Sequence, residues 1–240
     1  MSISCCVFDF APDSLIRCFV QSSTFVIDDG DGNKKNCYTL KFPLQTDCFN
    51  GGTQCLLDKV WSNEPFTLEI YDENMRGKKI TGGRLESLEY DIKAGDCVDV
   101  KMVFSGLDHD SKLDYIKPEL LRPARVYTGS DCNVSIVDDC GDRMGGECMT
   151  SFFAQAKRDN PNIFGKFIVL NSFLKERPSL NPIQIVKRCK GGSTLDLGLI
   201  NRQKDMNWLV RLVDINCEIV RRSVKDGLDI VEIAFQGKRS

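Results

Sequence analysis

Short apolar runs separated by turn residues form the dominant pattern of this chain. The runs are rich in Val, Ile, Phe, Tyr and Thr, and Gly, Asn, Asp or Pro lies between them, which is typical of β-strands. The sequence therefore predicts a mainly β protein. The predicted strands are Ile16–Ile27, Cys37–Phe42, Gln54–Trp61, Phe66–Tyr71, Cys97–Phe104, Val134–Val137, Cys148–Phe153, Phe167–Leu174, Ile183–Cys189, Leu195–Ile200 and Leu228–Phe235.

Two stretches have helical rather than alternating periodicity. Ala154–Asn160 is short and stops before Pro161, and helices commonly end before a proline. Lys204–Val224 places its apolar side chains near a 3.6-residue period, with arginines at other positions. The sequence therefore predicts a short internal helix and a longer carboxy-terminal helix.

Two strand-turn-strand segments, 24–42 and 133–153, resemble each other. Each has a strand that ends in Asp-Asp, a turn containing Gly, and a strand that begins with Cys. Two related β modules are one interpretation, and a chance likeness of two hairpins is the other. With Gly77–Gly83 as the linker, the predicted domains are a small acidic β module at residues 1–80 and a larger domain at residues 84–240.

The larger domain has the element order of a known barrel. Three strands, a short helix and two closing strands are the order of the OB-fold, a five-stranded Greek-key barrel that binds oligonucleotides and oligosaccharides. We expect this fold at residues 84–240, followed by the carboxy-terminal helix. The smaller module is either an independent β unit or a degenerate second OB-fold. The fold alone does not identify the ligand.

Composition narrows the classes of function. The chain has 240 residues, of which 42% are hydrophobic and 28% charged, as in globular proteins. No apolar run reaches the roughly 18 residues of a membrane span, and the first residues lack the pattern of a signal peptide. We therefore expect the twelve cysteines to be reduced thiols in a cytosolic or nuclear protein.

Catalytic and metal-binding patterns are sparse. The single histidine, His109, has no motif around it, so no imidazole is placed to activate a serine or cysteine. The cysteines lack the C-x2-C spacing of structural zinc sites. Asp28-Asp29 and Asp138-Asp139 end predicted strands, where such acids commonly bond their own backbone. We expect no enzyme activity, no cofactor and no metal, and a cysteine-dependent enzyme is the least favoured hypothesis.

Charge is distributed unevenly along the chain. Its 32 basic and 34 acidic residues give a net charge of -2, but residues 1–105 hold 11 basic and 16 acidic side chains. Between Lys157 and Arg222 there are 13 basic and 6 acidic side chains. A basic block interleaved with aromatic residues suits single-stranded nucleic acid, since cations follow phosphates and rings stack on bases. A solvated basic surface without that role is the alternative.

Four segments of the larger domain follow one another in a family-like order. They are Ala94-Gly-Asp-Cys-Val-Asp-Val-Lys-Met-Val-Phe, Arg122-Pro-Ala-Arg-Val-Tyr-Thr-Gly-Ser-Asp-Cys-Asn-Val-Ser-Ile-Val-Asp-Asp, Ser151-Phe-Phe-Ala and Asn160-Pro-Asn-Ile-Phe-Gly-Lys-Phe-Ile-Val-Leu. Together they resemble the telomeric OB-fold of the protection-of-telomeres family over roughly residues 85–200. The resemblance implies sequence-specific binding of the single-stranded guanine-rich overhang at chromosome ends. It further implies protection of those ends and regulation of telomere length in the nucleus, without catalysis.

The resemblance also implies a set of DNA-binding residues. They are Arg122, Arg125, Tyr127, Ser130, Asp131, Phe153, Phe173, Lys175 and Arg177. Asp131 would accept hydrogen bonds from base amino groups and so add specificity, and Phe153 would stack on a base. Because side chains alternate along a strand, only one of Phe152 and Phe153 can face inward. An acidic stretch, Asp108–Asp114, departs from the family pattern.

Protein partners distinguish the two leading hypotheses. Under the first, other telomere proteins bind through the amino-terminal module or the carboxy-terminal helix. Under the second, the chain is a β-rich protein-interaction adaptor in a nuclear nucleic-acid complex, or a viral accessory protein, and does not bind DNA directly. The acidic amino-terminal module would recruit the partner in that case.

Overall fold

The prediction of a mainly β protein is confirmed. The structure is a computed structural model, and it describes residues 5–9, 11–17, 25–28, 36–44, 54–72, 74, 77–109, 126–141, 143–145, 149–172, 182–189, 192–200 and 206–240. Fourteen strands and two short α-helices account for most of these residues. None of the described helices is both long and apolar enough to cross a membrane.

The first compact unit consists of Met1–Glu89 and Asp99–Tyr127. Its elements are β1 (Cys5–Phe8), β2 (Ala11–Arg17), β3 (Phe25–Asp28), β4 (Asn36–Pro43), α1 (Gln54–Trp61), β5 (Phe66–Tyr71), most of β6 (Gly77–Lys93), and β7 (Asp99–His109). The strands lie in the order β2-β1-β5-β6-β7-β4-β3. The pairs β1–β2, β1–β5, β3–β4, β4–β7 and β5–β6 are antiparallel.

Aromatic rings form the centre of the first unit's core. Phe66 lies between Phe8 and Phe104, with ring centroids 5.9 and 5.7 Å away, and Tyr38 stacks on Phe104 at 5.4 Å. These residues are buried because every second side chain of a strand faces the same side of the sheet. Helix α1 adds an apolar stripe to this core, formed by Leu56, Leu57 and Val60.

The second compact unit consists of Tyr90–Val98 and Thr128–Ser240. Its elements are the end of β6, β8 (Cys132–Val137), β9 (Arg143–Gly145), β10 (Met149–Lys157), β11 (Asn160–Ser172), α2 (Pro182–Arg188), β12 (Thr194–Ile200), β13 (Met206–Lys225) and β14 (Leu228–Arg239). The strands β8–β14 lie in the order β9-β8-β12-β13-β14-β11-β10. Their neighbouring pairs are antiparallel.

Both units have the same strand order. If β1–β7 and α1 are matched in sequence with β8–β14 and α2, every neighbour in the first order has its counterpart in the second, and each helix falls at the same point. The chain is therefore an internal topological repeat. The likeness of segments 24–42 and 133–153 pointed to two related modules, but it aligned β3 with β8, whereas the topology matches β3 with β10.

Four predicted elements are wrong. Gln54–Trp61 and Ile183–Cys189, predicted as strands, form α1 and α2. Ala154–Asn160, predicted as a helix, is the tight hairpin between β10 and β11, in which Lys157 pairs with Asn160. The predicted carboxy-terminal helix Lys204–Val224 falls largely on β13, a strand of 20 residues.

The chain passes between its two units at places that differ from the predicted boundary. The predicted linker Gly77–Gly83 begins strand β6. The units divide after Glu89, after Val98 and after Tyr127. The strand Cys97–Phe104, predicted to open the OB-fold, therefore lies mostly in β7 of the first unit.

Candidate nucleic-acid interface

A one-turn 3-10 helix at Gly129–Asp131 holds two of the predicted site residues. The Asp131 carboxylate accepts hydrogen bonds from the Thr128 backbone N–H and hydroxyl, both at 2.9 Å. The Thr128 hydroxyl also lies 2.7 Å from the exposed Ser130 hydroxyl. One oxygen of Asp131 is thus engaged in fixing the turn, which differs from the expected role of reading base edges. Gly129 is required here because a Cβ would lie 2.1 Å from the Lys93 carbonyl oxygen.

The other loop residues of the predicted site are not gathered around that turn. Tyr127 belongs to the first unit and is 5% exposed, and its backbone N–H donates to the Leu44 carbonyl at 2.8 Å. Tyr127 is therefore packed within the first unit. Five predicted residues lie outside the described part of the chain: Arg122, Arg125, Phe173, Lys175 and Arg177.

Strand β10 separates its two adjacent phenylalanines as the alternation rule requires. Phe152 is 1% exposed, and its ring stacks on Phe235 with centroids 5.4 Å apart. Phe153 is half-buried and points to the opposite side of the sheet. The strand phase that the sequence prediction assumed is therefore correct.

A second aromatic residue, Phe164, lies on the same side of the sheet. Phe153 pairs with Lys166 of β11, and Gln155 pairs with Phe164, so the two phenylalanines are diagonal neighbours across the strands. Phe164 is 38% exposed. We call this side of β10, β11 and β14 the aromatic sheet face. Its members are Ser151, Phe153, Gln155, Phe164, Lys166, Ile168, Glu232, Ala234 and Gln236.

Sequence reasoning missed Phe164 and Lys166, although both lie in the Asn160–Leu170 segment that carried the family resemblance. The signal was available in the alternation of the strand. Ile163, Phe167 and Val169 are buried, whereas Phe164 and Lys166 are exposed. The predicted strand began only at Phe167, so the outward residues before it were not considered.

Because Gly165 of β11 has no side chain, the buried Phe235 ring packs directly against the backbone of this strand. It pairs with Phe235 of β14 and with Ala154 of β10. A Cβ at this position would lie 2.1 Å from the Phe153 carbonyl oxygen and 2.3 Å from the Phe235 ring. The packing of the Phe235 ring therefore depends on the absence of a Cβ at position 165. The same absence allows β11 to lie close to the Phe153 backbone.

Ion pairs neutralise part of the basic block. Lys166 on the aromatic sheet face lies 2.8 Å from Glu232. Two arginines form two-pronged pairs with buried carboxylates: Arg211 with Asp196, and Arg222 with Asp229. Each carboxylate raises the pKa of its arginine, mainly through the side-chain hydrogen bond. These arginines stabilise the fold, so the free positive charge is smaller than the sequence count suggests.

The Asp138-Asp139 pair behaves as the turn acid that the sequence predicted. Asp138 accepts a hydrogen bond from the Cys140 backbone N–H at 3.1 Å and lies 3.5 Å from Arg188. The donor atoms of Asp138, Asp139 and Cys140 lie within 4.8 Å of one another. Asp138 thus bonds both to its own turn and to Arg188.

The environment of Cys132 does not suit a nucleophile. Burial, and secondarily the charge of Asp131, raise the pKa of its thiol to about 12. A hydrogen bond with Cys189, and after it burial, raises the pKa of the Cys217 thiol. The thiolate is the reactive form, and both shifts disfavour it.

Comparison with known proteins gives no family for this chain. No protein-family model matches it, and no curated protein matches it.

Proposed function

We propose that the second unit binds single-stranded DNA on its aromatic sheet face. The observation that carries the proposal is the diagonal pair of outward phenylalanines, Phe153 and Phe164, with Lys166 opposite Phe153. Large aromatic side chains on the solvent side of a sheet gain little from folding. They are, however, what base stacking requires, at about 1–3 kcal/mol for each base.

Antiparallel sheets with this arrangement are known nucleic-acid platforms. RNA-recognition domains stack two or three bases on aromatic residues of a four-stranded sheet, and OB-folds bind oligonucleotides on the face of strands 2 and 3. The OB-fold proposed for the second unit would also place Phe153 on a binding strand. Stacking on the aromatic sheet face needs only the outward face of β10 and β11, and not a closed barrel.

Electrostatics on this face favour stacking over phosphate contacts. The Lys166 ammonium is half-exposed and already paired with Glu232, and Lys157 at the end of β10 is exposed. Each neutralised phosphate steepens the dependence of affinity on salt. We therefore expect a shallow salt dependence, corresponding to a few phosphate contacts.

Two glutamines give the face a means of distinguishing bases. Phe164 has Gln155 on one neighbouring strand and Gln236 on the other. Their side-chain amides both donate and accept hydrogen bonds, so a base stacked on Phe164 would lie between groups able to bond its edge. The guanine-rich telomeric overhang is the substrate we propose, on the strength of the family resemblance, with a role at chromosome ends in the nucleus.

Alanine variants of the two phenylalanines test the proposal. Phe153→Ala and Phe164→Ala should each weaken binding of a fluorescent guanine-rich telomeric oligonucleotide, measured by anisotropy. Leu107→Ala is the matched control, since Leu107 is an apolar side chain that is 52% exposed on β7 of the first unit. Unchanged affinity in both phenylalanine variants, with melting temperatures like the parent chain, would exclude this face as the site.

The protein-interaction adaptor is the second candidate, and one observation favours it. Val220 and Val224 near the end of β13 are 58% and 66% exposed, and exposed apolar strand ends commonly mark protein contacts. Absence of DNA binding even at low salt would favour this candidate over the first.

A further inference from the structure

Because the two units share one topology, the end of a strand in one unit can be compared with the corresponding strand end in the other. The last residues of β6, Tyr90–Lys93, belong to the second unit, where β6 pairs with β10. Strand β10 is the last strand in the order of that unit, so the end of β6 covers an otherwise open sheet edge. In the repeat, β6 corresponds to β13 and β10 corresponds to β3.

The two corresponding strand ends differ in burial. Ile92 of β6 and Val224 of β13 each lie one residue before the end of their strand. Ile92 is 4% exposed, whereas Val224 is 66% exposed. The sequence thus has an apolar residue at both places, but only the residue in β6 is buried.

The open region of β13 is one edge of its distal end, residues 219–225. The described pairs of β13 with β12 run from Met206 to Leu212, whereas β14 accompanies β13 on the other side to Lys225. A break in register between Ile219 and Arg221 leaves Val220 as a bulge, and Val220 is 58% exposed. A strand edge without a neighbour presents backbone N–H and C=O groups that can pair with another chain.

We propose that the distal end of β13 pairs with β3 of a second copy of this chain. Strand β3 is the counterpart of β10 and lies last in the order of the first unit. Among the described pairings it has β4 as a neighbour on one side. The contact between two copies would repeat the pairing that β6 and β10 make within one chain, with β13 in the place of β6.

Charge complementarity supports this occupant over others. Strand β3 ends in an acidic residue, Asp28. The distal end of β13 is basic, with Arg221 and Lys225 exposed. Two β13 ends placed side by side would instead bring like charges together, which is unfavourable for cross-strand pairs.

Such a contact joins different surfaces of the two copies. It is head-to-tail, so each chain uses its β13 end on one neighbour and its β3 on another, and repetition gives a closed ring or an open filament. The self-association needs no nucleic acid. Either proposal, self-association or DNA binding, can therefore be refuted while the other holds.

Two variants that each lose one half of the contact give a decisive test. Val220→Asp places a charge on the β13 end, and Asp28→Lys reverses the charge at the end of β3. Masses are measured by light scattering and by sedimentation. We expect the parent chain to exceed its 27.0 kDa mass increasingly with concentration, and each variant alone to have the mass of one chain.

Mixing the two variants distinguishes head-to-tail pairing from other contacts. The intact β3 of the first variant can meet the intact β13 end of the second, so the mixture should contain a species of at least twice the chain mass. Leu107→Asp, which also places a charge on an exposed apolar residue, should associate as the parent does. A parent chain that stays at 27.0 kDa at every concentration, or a mixture without the double-mass species, would overturn the proposal.

Discussion

Replacing the two adjacent phenylalanines of β10 one at a time should give opposite effects. Phe152 is 1% exposed and stacked on Phe235. Truncation of a buried phenylalanine to alanine costs about 3–5 kcal/mol, which lowers the melting temperature of a chain of this size by about 6–20 °C. Phe153 faces outward, and truncation of surface residues typically costs under about 0.5 kcal/mol.

The binding assay should reverse that order. Loss of one base stack costs about 1–3 kcal/mol, so Phe153→Ala should weaken the affinity for the telomeric oligonucleotide about 5- to 150-fold. Phe152→Ala, measured well below its melting temperature, should bind with a smaller loss. Calorimetry and fluorescence anisotropy on the same preparations provide both values. If Phe153→Ala lowers stability by as much as Phe152→Ala and leaves affinity unchanged, Phe153 is a packing residue and the proposed role is refuted.

Three further predictions concern the surroundings of this face. Glu232→Gln should raise DNA affinity up to about fivefold, because an exposed ion pair is worth about 0.2–1 kcal/mol and the Lys166 ammonium would no longer be paired with Glu232. Equal affinity in a titration would show that Lys166 makes no phosphate contact. Gly165→Ala should lower the free energy of unfolding by about 1–3 kcal/mol, the usual cost of overpacking, since its Cβ would meet the Phe235 ring; unchanged urea denaturation would contradict that. Cys132 should react with iodoacetamide at pH 8 more slowly than the exposed Cys97 and Cys140, as followed by peptide mass spectrometry. Because the pKa of Cys132 is raised from 9.0 to about 12, its contribution to stability is complete below pH 9 and is lost as the pH rises toward 12.

Alternation in the sequence predicted most of the sheet, and bulges explain the largest error. In residues 211–225 of β13, where burial is described, the buried residues are Leu212, Ile215 and Cys217. The step of three between Leu212 and Ile215 arises where the register shifts between Val213 and Asn216, and Asp214 there has a positive φ of 51°. Such an interruption mimics the spacing of a helix, so a sequence reading could not distinguish the two.

The short helices were missed because their signal is confined to one or two turns. Ile185 of α2 and Cys189, which directly follows the helix, are buried at a spacing of four, and the Cys189 N–H donates to the Ile185 carbonyl at 2.8 Å. Tertiary packing decides such short segments, since an isolated helix of this length is not stable. The hairpin at Ala154–Asn160 shows the reverse case, in which Ala154 and Ala156 fill core positions of a strand despite the high helix propensity of alanine.

The candidate site was predictable where it depended on strand phase, and not where it depended on tertiary structure. The outward direction of Phe153 followed from alternation. The burial of Tyr127 in the first unit and the use of Asp131 within its own turn depend on contacts between residues distant in the sequence or on local capping. No spacing rule in the loop distinguishes those roles from DNA contacts.

Direct titration of the full chain with single-stranded DNA tests the central claim most directly. A fluorescent guanine-rich telomeric oligonucleotide, its shuffled sequence and its duplex would each be titrated with the protein at low and moderate salt. We predict saturable binding of the single strands, tighter for the telomeric order than for the shuffled one, weak binding of the duplex, and a shallow loss with salt. No binding of either single strand at low salt would contradict the account, and equal affinity for both orders would refute its sequence-specific telomeric form.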